Sequence, residues 1–461
     1  MVRRPVSKAS KQNEDILALR SLSSLQPRYP VQRSLAAIES IGPDESSRFL
    51  DSMRMRSLVA RRLAAVPSPS KAVRECDAAL APAAAKARHR HDVLEANLKR
   101  LSQVATRLGL AFFGGKGISA HATYTDQSVR DFNDVDIFVQ SHRDATALSR
   151  VLRNEIGYRY QKYELPWFKL DPSDGLIYGQ IALVAPENDA DLLNVDIHFG
   201  DYSVRHCGRL DLAGTFSAGS PGLHMIGPEK NLACIVNNAA GDYFVTAKDT
   251  NDLLMALSLP DFDIELFSET LRTARLDGFF GFIAETLRAS AILDDEQERK
   301  LSRIPTPRTF EPTPRLDQPD WNRRCIGTAA HAFAVRRPAG LVPAVAGAAG
   351  AFSYYRKRLK LTVTRAGTRS GDKPVQYNRW TCVRLVPLSL AAQLADGPAG
   401  SGPPAPLAPS RSLVNGDPDF ERFDTPAGTY FRIEDEVFLA TVEYKLPLDL
   451  IRYATGRSTR P

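Results

Sequence analysis

Two carboxylates two residues apart, in Asp134-Val-Asp136, open the apolar run Ile137-Phe138-Val139. A third, Asp196, sits in a second run, Asn194-Val-Asp-Ile-His-Phe199. On an extended chain, side chains at i and i+2 point to the same side, so Asp134 and Asp136 converge. A neighbouring strand can bring a third acid beside them, and three converging carboxylates make a site for one or two Mg²⁺ (or Mn²⁺) ions. Just upstream, Phe112-Phe-Gly-Gly-Lys-Gly117 reads as a strand breaking into a glycine turn. Gly114, Gly115 and Gly117 let backbone N–H groups come close to a phosphate, and Lys116 can pair with one as a point charge.

Transfer of a nucleotide needs donors for the triphosphate, metal to neutralise it, and an acceptor hydroxyl in line with the α-phosphorus. Asp134 and Asp136 suit the metal, and Asp196 suits the acceptor side. The elements that must position them are mixed. Val93, Leu94, Leu98, Leu101 and Val104 recur at helical spacing and predict a helix over 91–108, ended by Gly109. Strands are expected at 110–113, 135–139 and 193–199, with extended segments near 158–168 and 176–184 and helices over 117–124 and 143–156. This predicts one small mixed sheet with helices against it, an α+β fold. After Pro228 the period turns helical, with helices at 249–257 and 267–293.

The order of a Gly-Gly turn, a helix, an Asp-x-Asp strand and a later lone Asp resembles the polymerase-β-like nucleotidyltransferase superfamily. More narrowly, Lys116-Gly117, Tyr124, Arg130, Asp134-Val-Asp136 and Asp196-Ile-His198 resemble a bacterial group of uncharacterised nucleotidyltransferases. Lys248-Asp249-Thr-Asn-Asp252 resembles the Lys/Arg-Asp-x-x-Asp element that follows in that group. The resemblance spans about 95–260. It implies a polymerase-β-like core, an NTP such as ATP as donor, and Gly114 to Gly117 with Arg130 at the nucleotide. Two departures stand out: Lys116 occupies the usual serine position, and 18 residues separate Gly115 from Asp134. Arg130 has a second role open to it, orienting its loop by pairing with Asp134 or Asp131. His198 shares the side of Asp196 but reads more readily as packing, and Asp249 and Asp252 either close the site or cap a helix.

The acceptor is open: a small molecule, a protein or a tRNA. Residues 1–110 hold 20 Lys and Arg against 10 Asp and Glu, +10 of a whole-chain +7, which leaves −3 for the other 351 residues. That basic excess tilts toward a macromolecular or polyanionic partner, or it is a solvated Arg- and Ala-rich helical face. Five dispersed cysteines with no CxxC pair fit a reducing cytoplasm. No signal peptide is expected, and the small-apolar stretch 341–352 falls short of the roughly 20 residues needed to span a bilayer. The organisation expected is a basic, partly helical or disordered segment (1–90), the core (91–215) and a helical region (228–304). After these come a mixed region behind a Pro-rich linker (305–395), a Pro/Gly/Ala linker (396–412) and a β-containing tail (413–461) with a hairpin around Glu434-Asp435. Two rival functions are carried: a catalytically inactive nucleotidyltransferase-fold binding protein, and an Asp-x-Asp glycosyltransferase. The second is disfavoured because the apolar strand follows the acids rather than preceding them.

Overall fold

The computed structural model describes residues 8–161, 164–171, 174–204, 206–216, 219–308, 311–314, 321–357, 361–364, 375, 382–396, 420–425, 427–442 and 444–456. All but the first residue of the linker expected at 396–412 lies outside them. Five helices come first: α1 (Lys8–Ser21), α2 (Val31–Ile41), α3 (Pro43–Ser52), α4 (Arg56–Ala64) and α5 (Lys71–Leu108). The expected 91–108 helix is thus only the second half of α5. Ser70 accepts the Val73 N–H to start it, and Gly109, at φ 67°, ends it. Pro82 lies inside this helix and breaks the sequence signal without breaking the element.

The chain then alternates: β1 (Ala111–Gly115), α6 (Lys116–His121), β2 (Asp134–Val139), α7 (His142–Val151), β3 (Arg159–Tyr160), β4 (Trp167–Leu170), β5 (Ile177–Val184), β6 (Asn194–Phe199), α8 (Ala213–Phe216) and β7 (Gly222–Met225). Helices follow: α9 (Pro228–Asp242), α10 (Ala247–Leu257), α11 (Ile264–Thr273), α12 (Asp277–Ser290), α13 (Asp295–Arg303), α14 (Trp321–Arg336) and α15 (Leu341–Lys357). The one helix expected over 267–293 is two, α11 and α12. Short strands β8 (Thr362–Thr364), β9 (Val383–Pro387), β10 (Phe420–Thr425), β11 (Gly428–Ile433), β12 (Glu436–Thr441) and β13 (Lys445–Pro447) complete the sheets.

The expectation of a small sheet is corrected. Eleven strands join one sheet in the order β10-β11-β12-β9-β4-β5-β6-β2-β1-β7, with β3 also on β5. Pairing of β4 with β9, Trp167 opposite Arg384, is what extends it, and these partners lie over 200 residues apart in sequence. The β11–β12 hairpin turns at Glu434 and Asp435, as the alternation predicts. Arg150 pairs with both turn acids, and Arg153 and the Tyr160 hydroxyl each reach Glu436 at 2.7 Å.

Alternation along the strands sorts the sheet. Val135, Ile137, Val139, Val195, Ile197, Val383 and Leu385 point to one face and share a core with Leu94, Leu101 and Val104 of α5 and with Ala145 and Leu148 of α7. The opposite face carries the acids. A second core joins α9, α10, α11 and α12 to Phe113 and Phe138. A third packs the N-terminal helices on Tyr124, Val129 and Phe244. Several N-terminal arginines are tied to backbone carbonyls, Arg20 in the interior and Arg28 at the surface. Arg20 donates to the Val245 carbonyl, Arg62 to those of Ser21 and Leu22, and Arg28 to that of Arg288. Among the described residues, no helix is long and apolar enough to cross a membrane.

Candidate active site

Strand register brings the acids together. In the parallel pair β2/β6, Asp134 lies opposite Asn194, Asp136 opposite Asp196, and Phe138 opposite His198. In the antiparallel pair β1/β2, Gly115 lies opposite Asp136. Directly paired residues share a face, so the turn after β1 and the acids of β2 and β6 converge. Asp134, Asp136, Asp196, Lys116, Gly117 and Arg130 all line one cavity of about 250 Å³. Asp136, Asp196 and His198 offer ligand atoms within 4.8 Å of one another.

Charge in this cluster is unevenly met. The Lys116 ammonium stands 2.5 Å from Asp136 Oδ1 and 5.5 Å from the centre of the Tyr202 ring. Burial works against its charge, but Asp136, Tyr202, Asp196 and Asp134 outweigh that and hold Lys116 well above its ordinary pKa. Burial also opposes the charge of Asp136, yet Lys116 and the imidazole of His198 (Nε2 to Oδ1, 3.0 Å) keep its carboxyl below the usual range. Burial and the neighbouring acids push Asp134 up, and Asp196 well up. His198 is lowered to about 4 by burial and Lys116, so its imidazole is neutral at pH 7 and could serve as a ligand. Gln180 donates to Asp196 Oδ2 at 3.0 Å and accepts from the Trp167 indole at 3.2 Å. The Lys116 ammonium is bound to Asp136, while Lys248, which also lines the cavity, acts on Asp134 through space, and Asp196 has no cation in contact among the described residues. Carboxylate oxygens with one imidazole suit Mg²⁺ or Mn²⁺, so the donor set fits a divalent ion. The acids alone point to it from sequence; the imidazole reads there as packing, and its place is visible only once β2 and β6 are in register.

The loop that delivers Asp134 is clamped from three directions. Arg130, 1% exposed, donates Nε and Nη2 to the two Asp252 oxygens at 3.0 and 2.7 Å, and Nη1 to the Asp131 carbonyl at 2.9 Å. Tyr124 donates its hydroxyl to Asp252 as well, at 2.7 Å. The Asp131 carboxylate accepts the Arg56 and Ser57 backbone N–H groups at the start of α4. Arg90 of α5 donates to the Phe132 carbonyl and the Asn133 side chain, at 3.2 and 2.7 Å. Asp249 forms a capping box with Thr246 at the start of α10 while also lining the cavity.

The glycine turn has a steric reason to be glycine. A Cβ on Gly114 would meet Ile118 Cδ1 at 2.6 Å, and one on Gly115 would meet Ile226 Cδ1 at 2.9 Å and press into the Phe138 ring. A Cβ on Gly117 would lie 3.1 Å from Arg130 Nη1. The left-handed residue of the turn is Lys116, at φ 45°, and that conformation aims its side chain at Asp136. Glu164, Trp167, Gln180 and Arg384 line the same cavity and belong to no motif in the sequence. A lone cation in the apolar run Val383-Arg-Leu-Val-Pro387 is the one signal that could have found Arg384.

Residues 39–289, more than half of the chain, match the model of a family described as uncharacterised nucleotidyltransferase. The chain belongs to this family. The matched segment holds the acids, the turn and the Arg130–Asp252 pair, and nucleotidyltransferases transfer a phosphorus-containing group. It ends before α13, and strands β8 to β13 lie outside it. No curated protein and no solved structure matches the chain.

Proposed function

We propose that this nucleotidyltransferase, with a polymerase-β-like core, moves an NMP from an NTP to a hydroxyl of its acceptor, with Mg²⁺ or Mn²⁺. The observation that carries this reading is the placement of Asp136 and Asp196 at one register on adjacent strands, with Asp134 beside them and the glycine–lysine turn on the next strand. Asp134 and Asp136 would hold the ion, with Asp196 and His198 completing its surroundings. When bound, the ion neutralises the triphosphate and lowers the pKa of the acceptor hydroxyl. Lys116, charged and half-buried, orients Asp136 and presents an ammonium to the phosphates arriving at the turn. Asp196, at the register of Asp136 and held by Gln180, is placed to take the acceptor proton. Gln180 fixes its rotamer. Arg130, fully engaged on Asp252 and the Asp131 carbonyl, holds the loop that sets Asp134 in place.

The test uses purified protein, Mg²⁺ or Mn²⁺ and each α-labelled NTP in turn, with cell extract as the acceptor pool. Label enters protein, RNA or a small molecule with the native chain, and not with Asp134→Ala/Asp136→Ala. A folded Asp136→Ala protein that still transfers label would overturn the assignment.

A further inference from the structure

The row of polar groups on the acid face does not stop at Asp196. Continuing from β6 through paired positions, His198 lies opposite Gln180, Gln180 opposite Trp167, and Trp167 opposite Arg384 of β9. Each paired step keeps the same face, and Arg384 lines the same cavity as the acids. Its strand is buried at every position, and Arg384 itself is 5% exposed.

Arg384 lacks the partner that its burial demands. Arg130, equally buried, has both oxygens of Asp252. Among the described residues, no carboxylate forms an ion pair with Arg384, and no acceptor takes a hydrogen bond from its guanidinium. Glu164, which lines the cavity and acts on it through space, stands beyond ion-pair distance. Three aromatic rings surround the guanidinium instead: Tyr444 at 5.3 Å, Trp167 at 5.7 Å and Tyr354 at 5.8 Å to their centres. Rings attract a cation but accept no strong hydrogen bond, so the planar fork keeps its donors for a ligand. An arginine held this way is a bidentate receptor for a carboxylate or phosphate.

Its side of the site decides which anion. Lys116 follows β1, two strands from Asp196 in one direction, and Arg384 lies three strands away in the other. At about 4.8 Å per strand these are roughly 10 Å and 14 Å of backbone separation. The phosphates of the donor go to the turn, so Arg384 stands on the acceptor's side. We propose that Arg384, framed by Trp167, Tyr354 and Tyr444, is an anion-binding subsite for the acceptor, which therefore carries a carboxylate or phosphate besides the hydroxyl that it presents to Asp196. This assignment to the acceptor rests on the nucleotidyl-transfer reading above. Residue 384 lies outside the segment 39–289 shared with the family, so this acceptor requirement belongs to the C-terminal part of the chain.

The full chain is tested in two arms. In the first, inorganic phosphate is titrated into metal-free protein while tryptophan emission is followed, since Trp167 abuts the guanidinium. A saturable change is expected in the native chain and in Asp136→Asn. It should weaken at least tenfold in Arg384→Gln and by less in Arg384→Lys, which keeps the charge but not the fork and serves if Gln fails to fold. No response in the native chain, or an undiminished one in folded Arg384→Gln, overturns the subsite, whatever the enzyme does. In the second arm, Mg²⁺-dependent binding of the α,β-methylene analogue of each NTP in turn is measured by calorimetry. Affinity within twofold of native in Arg384→Gln supports the acceptor side; a tenfold loss assigns Arg384 to the triphosphate and overturns the acceptor role. Absence of nucleotide binding in the native chain sinks the transfer reading and, with it, the acceptor assignment, while the phosphate arm still decides whether the anion subsite exists.

Discussion

Replacing Asp252 by asparagine leaves the Arg130 guanidinium buried with the Asp131 carbonyl, at 2.9 Å, as its firm partner. Two charge-assisted bonds, at 3.0 and 2.7 Å, lose their charge together, and the Tyr124 hydroxyl keeps an acceptor but a weaker one. Removing one member of a buried ion pair costs about 3–5 kcal/mol, because the other is left uncompensated. Arg130→Met does the converse and strands the carboxylate, at a similar cost. The double variant Arg130→Met/Asp252→Leu removes both charges, so its cost should fall short of the sum by about 3 kcal/mol. In urea, with a slope of about 3 kcal/mol per molar, each single variant moves the midpoint by about 1–1.7 M. Circular dichroism reads stability, and equilibrium dialysis with labelled NTP and Mg²⁺ reads the site. Because Arg130 acts here through the loop that bears Asp134, both single variants should weaken nucleotide binding to a similar degree. If Arg130→Met cuts binding tenfold while folded Asp252→Asn leaves it intact, Arg130 touches the nucleotide and the positioning argument is wrong.

Other outcomes follow from the same geometry. Mg²⁺ at a hundredfold excess over its Kd should stabilise the native chain by about 2.7 kcal/mol, read as a raised melting temperature. Asp136→Asn with Asp196→Asn should abolish that rise, and an equal rise in this variant would place the ion elsewhere. Gly115→Ala, whose Cβ meets Ile226 and the Phe138 ring, should cost about 1–3 kcal/mol by overpacking; a melting curve that does not move would show that the turn yields. Lys169, buried with its ammonium 2.9 Å from the Ser203 hydroxyl, is lowered by burial from 10.5 to about 8. Its folded pKa lies below its unfolded one, so the penalty for burying its charge is full below pH 8 and is lifted as pH rises toward 10.5. Native stability should therefore rise over that window by about 1.4 kcal/mol per pH unit relative to Lys169→Met, and parallel pH profiles for the two proteins would refute it.

The acids, the turn and their strands are legible in sequence because a polar pair at i and i+2 before three apolar residues has few other uses. The helix after β1 and the β11–β12 hairpin are legible for the same local reason, alternation or periodicity bounded by a turn. What escapes is pairing at a distance. Short strands such as Trp167–Leu170 and Val383–Pro387 carry no signal that they are neighbours. The size of the sheet, the place of Arg384 and the contact of Gln180 with Asp196 therefore emerge only from the assembled register. His198 escapes differently: a histidine two residues after an acid on a buried strand looks the same whether it packs or ligates, until the partner strand sets it 3.0 Å from Asp136. The basic excess of the first 110 residues is visible as composition, but that Arg20, Arg28 and Arg62 serve carbonyl oxygens is not.

The pairing of β4 with β9 also sets how this protein can be divided. A fragment cut where the family segment ends, at residue 289, would leave β4 as a bare edge strand with unpaired backbone groups, and would strip the covering of Phe168 by Phe431. Such an edge recruits other chains. The sheet of this chain thus runs past the segment that matches the family, and a fragment ending at residue 289 is expected to self-associate through β4 unless β9 to β12 are present in cis or supplied as a separate complementing peptide.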